Sequence, residues 1–365
     1  MKVPLARPIM TEEMIEAAAD ALRNERLTMG ESMFKFEEEF AAMCGVKHAV
    51  SVSSGTGAIQ LSLLAAGIGR GDAVMTSSMS FVATTNAYVA FGGRPAFADV
   101  IEAECTIDPA EIAVTQDLKA IMPVHLYGHP ARMDDIKAVA KESDLLVIED
   151  ACQAHGAKYK GRRAGALGDV GCFSFYPTKN MHVGGDGGMV TTDDEEVAEL
   201  VRKLRHCGRK SQYEHDAIGY TARLNTANAA VGRIQLRMLD GWNDKRRAVA
   251  KRYDTVLDGV GDLALPPRPD ADFLPVYHLY TVRTARREAL RAHLDAAGVQ
   301  TGVHYEIPIH LQPIYRTMYG YSEGMLPITE RLCKEVVTLP MFPDMTDEQI
   351  AYVGESIAGF FAGAE

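Results

Sequence analysis

A chain of 365 residues, 47% hydrophobic and 24% charged, has the makeup of a folded globular protein larger than one typical domain. Its net charge of −11 argues against nucleic acid or an anionic membrane as the main partner, while leaving room for a local basic pocket that takes an anionic substrate. The cysteines Cys44, Cys105, Cys152, Cys172, Cys207 and Cys333 are scattered with no CxxC pair, which predicts free buried thiols in a reducing compartment, not disulfides or a metal site.

The opening MKVPLARPIMTEE turns polar within a few residues and reads as no leader. No apolar run approaches the roughly 18 residues of a membrane helix, so a soluble, cytoplasmic protein is expected. Thr11 is placed to cap a helix whose first turn carries Glu12 and Glu13, acids favoured at a helix N-terminus, and the pattern runs to about Asn24. A second helix, Phe34 to Cys44, sets Phe36, Phe40 and Met43 at helical spacing and stops at Gly45.

From His48 short β-rich runs alternate with helices. The expected strands cover residues 48–53, 73–77, 94–100, 120–125, 145–149, 170–175 and 188–192, and the helices 57–66, 81–91, 133–141 and 194–206. This alternation predicts an α/β fold with a mostly parallel sheet flanked by helices, which binds ligands at the carboxyl ends of its strands. A long helix over 226–257 leads from a large domain, 1–245, into a small C-terminal α/β domain, 246–365. There Pro266, Pro267 and Pro269 mark a loop, followed by a strand (278–282), a helix (288–297), a strand (300–305) and two helices starting near Thr329 and Thr346.

Three stretches at expected strand ends carry chemistry. Ser53-Ser54-Gly55-Thr56-Gly57 is a small-residue turn from strand to helix, whose free backbone N–H groups suit a phosphate. It is neither a P-loop, lacking Gly-Lys-Ser/Thr, nor a full dinucleotide fingerprint, since Gln60 holds the third glycine position. Asp150 directly follows the apolar strand of LLVIEDACQAHG; it reads either as a turn cap or as an anion paired with a protonated ring nitrogen, with Gln153 within reach of the same ligand. In CFSFYPTKNMHVGGDGG, Ser174 offers a hydroxyl for phosphate, and Lys179 an amine that burial would free as a nucleophile. Phe81, at the start of a helix, reads as core or as a ring to stack on a flat ligand.

These motifs, with RLTMGESMFKFEEEF, SFVATTNA, PVHLYG, HYEIPIHLQPIY and LPMFPDMT, span nearly the whole chain. Together they resemble the DegT/DnrJ/EryC1/StrS sugar aminotransferases, fold type I enzymes of the aspartate aminotransferase class that use pyridoxal phosphate (PLP). The resemblance implies a homodimer with the cofactor between subunits. It implies Lys179 as the Schiff-base lysine, Asp150 on the pyridine nitrogen, Gln153 near the phenolic oxygen, Phe81 on the ring, and Gly55, Thr56 and Ser174 on the phosphate. Where the family reaches across the dimer with an asparagine, this chain has Thr221 in GYTARLN, so Thr221 or Asn225 would serve. His304, Tyr305 and His310 in VHYEIPIHLQP belong to a segment that borders the active site in similar proteins, and read as substrate contacts or as structural residues. Arg205 and His206 would face a neighbouring subunit's substrate, beneath a mobile loop at 208–219.

Relatives that remove a sugar hydroxyl carry histidine at the lysine position; His182 lies three residues from it. Lys179 therefore favours transfer of an amino group from L-glutamate, the donor expected by resemblance, to a keto-sugar, most simply a nucleotide-linked 3- or 4-keto-(6-deoxy)hexose. A keto-sugar dehydratase and a non-catalytic regulatory protein on the same fold are the alternatives.

Overall fold

The computed structural model describes residues 1–363. Its strands are β1 (His48–Val52), β2 (Ala73–Ser77), β3 (Arg94–Ala98), β4 (Leu118–Ile121), β5 (Leu146–Asp150), β6 (Lys158–Tyr159), β7 (Arg162–Arg163), β8 (Val170–Ser174), β9 (Gly188–Thr192), β10 (Phe273–Leu274), β11 (Tyr280–Arg283) and β12 (Val336–Leu339). Seven of them build one sheet in the order β1-β9-β8-β5-β4-β2-β3. Only β9 runs against its neighbours, so the carboxyl ends of the others share one edge with the start of β9. Helices cover both faces, which is why the strand interiors are buried on both sides without alternation.

The helices are α1 (Glu12–Asn24), α2 (Glu31–Cys44), α3 (Gly55–Ala65), α4 (Ala83–Val89), α5 (Met133–Glu142), α6 (Glu195–Leu204), α7 (Thr226–Leu257), α8 (Arg287–Ala296), α9 (Pro313–Tyr319), α10 (Pro327–Glu335) and α11 (Asp347–Ala362). None among the described residues is long and apolar enough to cross a membrane. Thr11 Oγ1 accepts from Met14 N at 3.4 Å to start α1, and α2 ends on Gly45 in the left-handed region, where a side chain would strain the backbone. Phe36 and Phe40 of α2 meet Phe173 and Phe175 at centroid distances of 5.0–5.6 Å. Because strand side chains alternate, that aromatic packing on one face aims Ser174 the other way.

One layer lower, polar groups fix the scaffold. Arg205, 1% exposed, pairs with the buried carboxylate of Glu37 and donates to the Ser51 carbonyl at 2.7 Å. Glu149 is fully buried and accepts from Gly165 N (2.8 Å), Leu167 N (2.7 Å) and Gly168 N (2.7 Å), with His125 Nε2 at 2.9 Å. Every oxygen of that carboxylate is thus occupied by the loop before β8 and by the turn after β4.

Helix α7 serves two cores. Ala229 and Leu239 join the apolar layer under the main sheet, whereas Val249, Ala250, Tyr253 and Leu257 join a second core with β11, β12, α8 and α11. The first residues pack with the second core, not the first: Val3 bridges Val299, and Gln300 Oε1 accepts from Leu5 N at 3.1 Å.

The C-terminal region departs from expectation in two places. Residues 300–305 are not a strand: only Gly302 pairs, with Thr338 of β12, whose other edge is taken by β11. Beyond Gly302 the chain is claimed by side chains instead, with Tyr127 Oη donating to the His304 carbonyl and His304 Nδ1 bonded to Thr338 Oγ1 at 2.7 Å. The helix expected near Thr329 begins at Pro327 and is capped from afar, since Asp99 accepts from Ile328 N (2.9 Å) and Thr329 N (2.8 Å). It gives way after Glu335 to β12, whose apolar run carries no break that would separate it from the helix in sequence.

Candidate active site

At the carboxyl edge of the sheet lies a cleft of about 1360 Å³, counting its open mouth, lined by Gly55, Thr56, Phe81, Asp150, Gln153, Ser174, Lys179, His304 and Tyr305 among others. All of these residues but the last two come from a turn, helix start or strand end on this edge. At one end, Ser54 caps α3 by accepting from Gly57 N at 3.0 Å. The N–H groups of Gly55 and Thr56 have no intrahelical partner, and Ser174 at the end of β8 lines the same end of the cleft. A Cβ on Gly55 would stand 2.6 Å from Ser174 Cβ and 2.9 Å from Cys152 Sγ, so only glycine lets helix and strand approach this closely. Free N–H groups, a positive helix end and two hydroxyls make a cradle for a phosphate.

Asp150, 5% exposed, ends β5 at another wall of the cleft. Its Oδ2 accepts from Thr84 Oγ1 at 2.8 Å and its Oδ1 from Cys152 N at 3.2 Å. Thr84 Oγ1 also meets Ser80 Oγ at 2.7 Å. A carboxylate only accepts, so Thr84 spends its proton on Asp150 and Ser80 must donate to Thr84. These donors hold a buried anion in place, and the anion in turn suits a protonated ring nitrogen.

Lys179 follows Pro177 in the turn after β8, and among the described residues its amine makes no hydrogen bond or ion pair. Burial pulls its pKa below the usual lysine value, against the opposing pull of Cys152 and Asp150. Three imidazoles surround it. Burial first, then the Lys179 charge, brings His155 down to about 3 and His304 to about 4, and holds His278 well below the ordinary range. The backbone at Ser174 lies beside the His155 ring without hydrogen-bond geometry, and neither ring nitrogen finds a partner. All three rings are neutral at pH 7.

A further wall pairs Gln153, from the turn after β5, with Tyr305. Gln153 Oε1 accepts from Tyr127 N at 2.8 Å, which turns its Nε2 toward Tyr305 Oη at 3.1 Å. Phe81 stands at the rim, 54% exposed, with its ring 5.9 Å from that of Tyr305 and tilted by 34°.

Other expected residues lie elsewhere. His310 is fully buried outside the cleft, held by Ser78 Oγ at 2.7 Å and Glu330 Oε1 at 3.1 Å, a structural arrangement. Arg205 is consumed by Glu37 and Ser51, and His206 contacts Arg209 at 3.1 Å. Thr221 and Asn225 are exposed and do not line the cleft of their own chain; Asn225 precedes α7 and Thr221 bridges His206. Nor does any residue of 208–219, where Tyr213 is 84% and Ile218 90% exposed. Sequence reasoning missed His278, which lines the cleft just before β11, and the pair Ser80–Thr84, although SFVATTNA contained both the rim ring and the threonine.

A cradle closed to any Cβ, a buried anion and an unpartnered amine fit a phosphorylated aldehyde with a basic ring nitrogen. The profile of the DegT/DnrJ/EryC1/StrS aminotransferase family matches residues 8–358. The chain belongs to this family. Such aminotransferases are PLP-dependent, and this one has their fold type I architecture. It is 44% identical over 344 residues to the dTDP-3-amino-3,4,6-trideoxy-alpha-D-glucose transaminase of Streptomyces venezuelae, covering 93% of this chain and 90% of that protein. It is 42% identical over 352 residues to a pleiotropic regulatory protein of Geobacillus stearothermophilus, covering 96% and 94%. The crystal structure of S. venezuelae DesV in complex with a ketimine intermediate superposes with a TM-score of 0.92 at 43% identity, over 95% of this chain and 94% of that one. This aminotransferase thus sits among sugar-modifying enzymes of its family.

Proposed function

We propose that this aminotransferase moves the amino group of L-glutamate to a nucleotide-linked 3- or 4-keto-hexose. The observation that carries the reading is Lys179: a half-buried amine without a partner, in one cleft with the anion Asp150 and the Gly55–Thr56–Ser174 cradle. Bound PLP supplies an electron sink for bonds at the amino-bearing carbon. Gly55, Thr56 and Ser174 would hold its phosphate, Asp150 its ring nitrogen, Gln153 its ring oxygen and Phe81 its face. Lys179 Nζ, with its pKa lowered by burial, is the base that takes a proton from the substrate carbon and returns it. The sugar assignment draws on the transaminase named above.

The site works as a homodimer in this reading. Lys179 is the one basic side chain other than histidine among the cleft-lining residues, while the cofactor phosphate and the nucleotide both need cations. Thr221 or Asn225, exposed away from its own cleft, would come from the second subunit.

The decisive experiment is the visible absorbance of the PLP-loaded protein before and after L-glutamate, with 2-oxoglutarate measured. Bleaching with stoichiometric 2-oxoglutarate is expected, and Lys179→Ala should lose it. A bound but inert chromophore would instead favour the regulatory role that the G. stearothermophilus relative's name suggests for that protein.

A further inference from the structure

One imidazole in the cleft has no role in the reading above. His278 is 5% exposed and lines the cleft beside Lys179 and His304. Its Nδ1 is buried and finds no hydrogen-bond partner among the described residues. Nε2 is not bonded either, yet it is not buried, so it is the edge that meets the cleft. A buried N–H with no acceptor is costlier than a bare ring lone pair, which puts the single proton on Nε2. The ring therefore shows an N–H donor to whatever fills the cleft. Lys179, Arg246, His304 and His155 all face it, and with burial they keep it uncharged.

The charge of the cleft gives that donor a purpose. Apart from Lys179, its lining includes no lysine and no arginine, and its carboxylates are Asp150 and Asp186. A transaminase of the kind proposed above must hold an amino acid with an α-carboxylate in one half-reaction and an uncharged sugar ring in the next. A guanidinium would suit the first and be left as an unpaired buried charge by the second. A neutral N–H serves both, accepting either a carboxylate oxygen or a hydroxyl as its partner.

We propose that His278 is a substrate-recognition residue shared by the two half-reactions, donating from Nε2 to the amino acid's carboxylate and then to a hydroxyl of the keto-sugar. The inference rests on the transaminase reading and names the group within it that reconciles two unlike substrates.

The test is single-turnover kinetics of the PLP form with L-glutamate, and of the amino form with a dTDP- or UDP-linked 3-keto-hexose, for the wild type, His278→Phe and His278→Gln. The phenylalanine variant should need about tenfold more of each substrate for half-saturation, as for loss of one hydrogen bond to a charged or hydroxyl group. Its PLP affinity and melting temperature should match the wild type, and glutamine, which keeps an N–H, should recover most of the loss. Unchanged saturation in the phenylalanine variant overturns the proposal, as does a loss confined to PLP affinity. Should phenylalanine prevent folding, ¹⁵N NMR of the wild-type apoprotein decides: a proton on Nε2 is expected, and one on Nδ1 removes the donor. A wild type inert to glutamate sinks the transaminase reading itself, an outcome distinct from any of these.

Discussion

Replacing Thr84 with valine isolates one hydrogen bond with little change of shape. The hydroxyl at 2.8 Å from Asp150 Oδ2 disappears, and the buried carboxylate keeps only the longer contact from Cys152 N at 3.2 Å. Ser80, whose proton went to Thr84 at 2.7 Å, loses its acceptor too. A hydrogen bond to a charged group is worth about 1.5–3 kcal/mol. If Asp150 pairs with the cofactor's ring nitrogen, the anion in the variant is less well held by that amount, which corresponds to a PLP dissociation constant raised about tenfold or more. Titrating apoprotein with PLP and following the visible band measures the effect. Thr84→Ser keeps the donor and should behave as the wild type. Equal PLP affinity in the valine and wild-type proteins would refute the reasoning from the Ser80–Thr84–Asp150 hydrogen bonds.

Three further outcomes follow from the packing. Gly55→Ala forces a methyl into Ser174 and Cys152, so it should cost about 1–3 kcal/mol in urea denaturation and lower PLP affinity; a neutral effect on both means that the cradle is not closed as described. Glu37→Gln strands the buried Arg205 charge and should cost about 3–5 kcal/mol, read from the denaturation midpoint, with a loss under about 1 kcal/mol arguing that Ser51 alone satisfies the guanidinium. His155 and His304 have folded-state pKa values of about 3 and about 4. The unfolded chain, with histidines near 6.5, therefore binds more protons between about pH 4 and 6.5, and stability rises with pH across that window at about 1.4 kcal/mol per unit for each such ring. Their full contribution is present above about pH 6.5; a flat melting temperature from pH 7 to 5 in the apoprotein would contradict it.

The main sheet and much of the cleft were legible because parallel strands put their consequences in one place. Asp150, Ser174 and the Ser53–Gly57 turn are far apart in the chain, but each sits where an apolar run stops, and all the carboxyl ends share one edge. What the sequence hid depends on distant partners. His310 sits in a motif of the active-site border, yet Glu330, 20 residues later, and Ser78 hold it inside the fold. Residues 300–305 have the composition of a strand, but β12 has one edge left and only Gly302 reaches it. His278 looked like the first residue of a strand, and nothing local distinguishes a strand-end histidine from one whose ring edge faces a ligand. Arg205 follows the same rule, since its acceptor Glu37 lies 168 residues earlier in the chain.

Glu149 and Asp150 are joined by one peptide bond, and alternation along β5 sends them to opposite faces. The first is saturated by loop 165–168 and His125, the second by Thr84 and Cys152 at the cleft. Scaffold and chemistry are thereby separated at the spacing of a single residue. A mutational library could vary position 150 and its cleft neighbours freely while the adjacent carboxylate keeps the loop before β8, and with it Lys179, in place. Variation at 149, a residue that never touches a substrate, would do the reverse and loosen the loop before β8. A lineage on this fold can therefore change its reaction without first rebuilding its frame.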